Sequence, residues 1–227
     1  MKVFLTLILC ILSFLASAQE PQIIGGYILD GKDSFEEIDA AVVTDSKRKD
    51  KNLDGKGMKL PGGVSMMNPE SVGKEIGSVV EIKRSFLVKA ISFTVNENGM
   101  DSCKASIRIY RITGDDNLET VVTMPIQQDI PKAESKTTFH IVPQENIELD
   151  PGEYYISFCL TEIAQNIKDR WADSKTWTDV EKHTKYPDDN IYFPLYVKSS
   201  YICKDAGKPL EKCNYNIGMS VRGKILD

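Results

Sequence analysis

From residue 73 to the end of the chain, apolar and polar positions alternate with a period of two. That period belongs to strands with one buried face. In residues 87–95, Leu87, Ile91, Phe93 and Val95 share a face, with Lys89 the exception. In residues 103–111, Cys103, Ala105, Ile107 and Ile109 face one way, and Lys104, Ser106, Arg108 and Tyr110 the other. The pattern recurs in Phe139 with Ile141, in Tyr154, Ile156, Phe158 and Leu160, and in Ile191, Phe193, Leu195 and Val197. Tyr215, Ile217, Met219, Val221 and Ile225 close it. Turn-forming clusters separate the runs: NENG at 96–99, GDDN at 114–117, DPG at 150–152 and AGKP at 206–209. About seven or eight short strands with such spacing predict an all-β fold, an antiparallel β-sandwich of jelly-roll-like form. One insertion, residues 162–190, is the place where helix is expected.

Ahead of the sandwich (residues 73–227) the pattern weakens. Residues 19–72 are rich in Gly, Lys and Asp and read as an irregular N-terminal arm or linker, with one strand expected over 38–44. Within it, the run KRKDKNLDGKGMK at 47–59 reads as a solvated loop of mixed charge. Residues 1–18 read as a signal peptide: Lys2, an apolar run over 3–15, then Ala16-Ser17-Ala18 as the small-x-small cleavage pattern. That run is too short to span a bilayer, and no later stretch reaches the apolar length of a span. An exported protein is therefore expected, in the periplasm, at the cell surface or outside the cell.

Export changes the meaning of the cysteines. Cys10 would leave with the signal, and Cys103, Cys159, Cys203 and Cys213 would meet an oxidising compartment. Cys203 and Cys213 flank residues 204–212, which hold Gly207 and Pro209 and read as a hairpin turn, so the two are expected to face each other as a disulfide. Cys103 with Cys159 is then the default second pair. Buried free thiols are the alternative.

Composition excludes more than it assigns. The formal charge is −5, from 28 Lys+Arg against 33 Asp+Glu, and no nucleic-acid partner is expected of so acidic a chain. Two His leave little room for a His-based metal site, and the Cys spacings match no zinc motif. There is no GxSxG elbow, P-loop, GxGxxG, HExxH or EF-hand loop. His140 is expected on the outward side of its strand, between inward Phe139 and Ile141, and His183 falls in a polar segment. The acid pairs Asp115-Asp116 and Asp188-Asp189 read first as turn formers, and as a hydrolase pair only if two carboxylates converge about 5–9.5 Å apart. Asp30, Asp33, Glu36 and Glu37 are the remaining acids considered for a structural Ca²⁺, without a full ligand pattern. No metal and no cofactor are expected.

The insertion at 162–190 holds both tryptophans, Trp171 and Trp177, followed by Tyr186 and Tyr192. Two readings stand. Exposed aromatics on a loop at the end of a sandwich would stack on sugar rings or on a partner protein. Alternatively, the two tryptophans pin a long loop back onto the sandwich.

Several segments resemble a known group. The stretch GKEI at 73–76 with KAISFTV at 89–95 looks like its opening strands. Asp101-Ser102 before Ile107-Arg108-Ile109-Tyr110 looks like its next strand, and IELDPGEYYIS at 147–157 resembles its L-x-PG-x-YYIS strand. NIGMSV at 216–221 resembles its last strand. On these motifs the chain is similar, over 73–225, to uncharacterised secreted β-sandwich proteins of Bacteroidetes, which often carry the sandwich behind a carboxypeptidase-regulatory-like domain. The resemblance implies the fold and an envelope location, and implies no catalytic residues. The expected function is a non-catalytic binding or structural module of the cell envelope, with a glycan or an envelope protein as ligand. The alternative is an exported hydrolase with a carboxylate-based site.

Overall fold

The computed structural model describes residues 23–24, 27–28, 49–67, 70–122, 126–178, 181 and 184–226. The expected signal peptide, the strand expected over 38–44, the calcium candidates at 30–37 and His183 lie outside the described residues. In chain order the strands are β1 (Ile23–Ile24), β2 (Tyr27–Ile28), β3 (Lys51–Asp54), β4 (Met58–Met67), β5 (Glu75–Ile82), β6 (Phe86–Val95), β7 (Glu97–Thr113), β8 (Asn117–Thr120), β9 (Ile126–Ala133), β10 (Thr137–Ile141), β11 (Ile147–Leu149), β12 (Gly152–Ile163), β13 (Asn190–Cys203), β14 (Glu211–Asn216) and β15 (Ser220–Ile225). A six-residue helix, α1 (Gln165–Arg170), lies between β12 and β13.

The strands form two sheets, and every strand pairing among the described residues is antiparallel. The first sheet runs β1-β2-β10-β6-β15-β3, with β11 also on β6. The second runs β14-β13-β5-β12-β7-β8, with β4 on β13 and β9 on β7. The alternation read from the sequence sets which side chains meet between the sheets. Phe93 and Phe139 from the first sheet stack at 5.2 Å, and Phe158 and Phe193 from the second meet Phe93 at 5.4 and 6.4 Å. Each of these four rings is at most 1% exposed, so the inner faces make one core and the β-sandwich expectation is met.

Two expectations are corrected. The arm expected to be irregular up to residue 72 contains strands: β3 pairs with β15, and β4 with β13. Both sit at sheet margins and stay largely exposed, so neither shows the alternation that burial of one face imposes.

The second correction concerns the cysteines, which are four separate thiols. Cys213 lies opposite Ser200, and Ile202 lies opposite Glu211, so Cys203 and Cys213 are out of register and on opposite faces of their hairpin. Cys103 points into the core beside Ile130, whereas Cys159 lies opposite Ser106 on the other face of the same sheet. Cys159 and Cys203 do share a face, but Glu75 stands between them in the row. Two strand spacings, about 9–10 Å, exceed the roughly 7 Å that a disulfide spans. Burial pushes the Cys103 thiol up to about 12 and the Cys159 thiol up to about 11, which keeps both protonated and slow to react.

The outer face of the second sheet is not a plain solvent face. Tyr155, Ser157 and Cys159 alternate with the core residues of β12, yet each is at most 1% exposed. The tip of the β7–β8 turn and β14 meet over this face: Asp116 accepts a hydrogen bond from the Tyr201 hydroxyl at 3.2 Å and pairs with Lys212 at 2.5 Å. Asp115 and Asp116 both have φ of 60°, a left-handed conformation that costs energy for residues other than glycine. Tyr155 lies beneath, its hydroxyl donating to the Tyr201 carbonyl at 2.9 Å.

Two measurements check this picture. Denatured, unreduced protein should titrate with free thiols at Cys103, Cys159, Cys203 and Cys213; mass spectrometry that finds any two protected from alkylation restores a bridge. Lys212 beside Asp116 holds its carboxyl below the usual range, aided by the Tyr201 hydroxyl. A lowered folded value contributes stability above the unfolded value of about 3.9 and loses it as pH falls through the folded one. Urea unfolding should therefore show wild type ahead of Asp116→Asn at pH 7, with the gap closing below about pH 4.

Candidate functional site

The loop between β12 and β13 is built around Trp171. Ile167 of α1 is fully buried, and Trp171, capping the helix, is 2% exposed. Trp177 and Tyr186 close on it, with ring centroids 5.3 and 6.2 Å from Trp171 and 6.0 Å from each other. Buried Asp189 accepts the Trp171 indole N–H at 2.7 Å and holds Arg170 through two nitrogens, one of them Nε at 2.7 Å. Arg170 lies over the Tyr186 ring at 5.5 Å, and Lys185 over Trp177 at 3.9 Å. Gly99 lets the loop dock on β7, since a Cβ there would stand 1.9 Å from the Asp188 carbonyl oxygen. The structure thus brings three of the four expected ligand-binding residues together: Trp171 joins the sandwich core, and half-buried Trp177 and Tyr186 pack against it, pinning the loop to the sandwich. Tyr192 lies elsewhere, on β13 opposite Ser65 and Glu97, and is 41% exposed.

A second cluster was not legible as a site. Glu75, the first residue of β5, is 3% exposed. Its carboxylate accepts Ser157 Oγ at 2.6 Å, Arg108 at 2.8 Å and the Tyr110 hydroxyl at 3.3 Å. Tyr110 stacks on Tyr155 at 5.9 Å, and Tyr155 meets Tyr201 edge-on at 5.5 Å. Gly77 admits this packing, because a Cβ there would stand 2.0 Å from the Ile156 carbonyl oxygen. Burial, reinforced by Glu75, pushes the Tyr110 hydroxyl up to about 12; burial pushes Tyr201 up to about 12 and raises Tyr155 well above its ordinary value. Beside Glu75, an open cleft of about 300 Å³ is lined by Lys74, Cys203, Lys204 and Tyr215 among others.

Nucleophile and acid candidates are dispersed. His140 is half-buried on β10, and its Nδ1 lies 2.8 Å from Ser92 Oγ on β6. Ser220 and then Asp54 continue that row on the far side of Ser92 from His140. Asp54 is therefore separated from the imidazole by Ser220 and Ser92. Asp115 and Asp116 sit at the β7–β8 tip, whereas Asp188 and Asp189 sit in the aromatic loop. Among the described residues, no group of three or more His, Cys, Asp or Glu is placed to hold a metal ion.

The two polar clusters carry different weights, and unfolding separates them from the surface. Trp171→Ala should cost about 3–5 kcal/mol, and Glu75→Ala about 2–3 kcal/mol because half-exposed Arg108 recovers hydration. Tyr192→Ala should stay within about 0.5 kcal/mol of wild type. Urea midpoints at pH 7 measure all three.

No protein-family model matches the chain, and no curated protein matches it either. Among solved structures, a chain from the structure of infectious bursal disease virus Gt strain shows 9% sequence identity, covering 91% of this chain and 48% of that chain, at a TM-score of 0.14. This chain thus spans about half the length of that one, and a likeness at that TM-score carries no argument about fold or function.

Proposed function

We propose that this protein is a non-catalytic binding module of the cell envelope, exported by its N-terminal leader, whose ligand is a glycan or an envelope protein. One observation carries the reading: the acid pairs Asp115-Asp116 and Asp188-Asp189 sit on separate turns, and Asp116 and Asp189 are each held by a cation, Lys212 and Arg170. The leader pattern at 1–18 and the resemblance to secreted sandwich proteins support the envelope location.

A hydrolase built on Ser92 and His140, rather than on the carboxylates expected from the sequence, is the rival reading, and their hydrogen bond is the observation in its favour. One experiment separates the two. Purified protein is mixed with an envelope fraction, sedimented, and the supernatant assayed for released reducing ends and amino groups. The module should co-sediment and release nothing above buffer. Release that disappears in Ser92→Ala or His140→Ala would establish the hydrolase instead.

A further inference from the structure

We propose that the open cleft formed by Lys104, Gln127, Asp129 and Glu162, with Ser106 behind it, binds a neutral polyhydroxyl ligand, a sugar residue of a glycan. The inference rests on the binding-module reading and moves its site away from the tryptophans. The cleft lies on the outer face of β9, β7 and β12 and has a volume of about 450 Å³, within the range of small-molecule sites. The register builds it: Lys104 stands between Asp129 on one side and Glu162 on the other, and Ser106 between Gln127 and Cys159. A register shift between Leu160 and Glu162 swings Glu162 onto Lys104, 3.0 Å away. Such bulges re-aim side chains at functional sites.

The chemistry of the lining selects the ligand. Two carboxylates accept hydrogen bonds, an ammonium donates, and an amide does both. Lys104 and Glu162 are already paired and each is about half exposed, at 49% and 54%. A charged ligand would have to break that pair, whereas hydroxyl groups donate to the acids and accept from Lys104 and Gln127 without disturbing the charge balance. Ser106 supplies the independent observation. It is fully buried, and its Oγ is the one buried side-chain polar atom without a hydrogen-bond partner among the described residues. It shares a face with Lys104 and lies directly across from exposed Gln127. A ligand hydroxyl that enters between Lys104 and Gln127 would give this buried hydroxyl the partner it lacks.

Saturation-transfer NMR and calorimetry on the full chain test this, with glucose, galactose, mannose, N-acetylglucosamine, glucuronate and glucosamine as separate probes. At least one neutral sugar should bind. Gln127→Ala and Ser106→Ala should each weaken it by about tenfold. Ser106→Ala should leave Tm unchanged or raised, since the hydroxyl has no partner to lose, so weakened binding is not unfolding. Loss of binding in Trp177→Ala with Gln127→Ala unaffected would overturn the proposal. Tighter binding of glucuronate or glucosamine than of glucose would overturn the neutral assignment. If no sugar binds, this inference fails, while envelope co-sedimentation still judges the binding-module reading on its own.

Discussion

Glu75 is where three strands of the second sheet are tied together. Its carboxylate, on β5, takes hydrogen bonds from Ser157 on β12 and from Arg108 and Tyr110 on β7. A carboxylate so deeply buried is tolerable only when its lone pairs and charge are met. The layer around it follows from that requirement. Ser157 lies opposite Gly77 beside it, and Arg108 and Tyr110 reach the carboxylate from β7. Tyr110, Tyr155 and Tyr201 then fill the remaining space, and Asp116 closes the face by joining Tyr201 and Lys212. Around Glu75 both faces of this sheet are therefore packed, one with hydrocarbon between the sheets and one with a hydrogen-bonded polar layer.

The same economy governs the aromatic loop. Ile167 and Trp171 extend the sandwich core into the connection, Trp177 and Tyr186 pack against it, and Asp189 meets the indole N–H and Arg170. Tryptophans held in this way are committed to folding. Recognition then falls to surfaces whose polar groups are not fully used, and the cleft beside Ser106 is the place where a buried hydroxyl stays unmatched. Among the described residues the four thiols form no disulfide, and their positions in the ladder keep them apart.

β6, β7, β10, β12, β13 and β15 were legible because each turns a hydrophobic face to the other sheet, and burial of that face leaves the period of two in the residues. β3 and β4 were not, because margin strands are held by backbone hydrogen bonds that any side chain permits. The candidate aromatic site was half legible. Its residues were marked by type and clustering, but the direction in which Trp171 points depends on Asp189 and Ile167, which nothing in the local pattern connects to it. Ser106, Ser157 and Tyr155 looked like ordinary outward positions, and only the closure of the sheet over them shows that they are interior.

By itself, then, the sequence determined the class of fold, the inner faces of the strands, the candidate aromatic cluster and the exclusion of several common catalytic motifs, since each of these is written in local periodicity or residue type. The tertiary structure decided which cysteines can meet, which acids are paired, which outer face is covered and where an unsatisfied hydroxyl remains. Those depend on strand register and on contacts between residues far apart in the chain: Ser157 meets Glu75 across 82 positions, and Tyr201 meets Asp116 across 85. A shift of one residue in register reverses every side chain on a strand, so no local reading of the chain contains them.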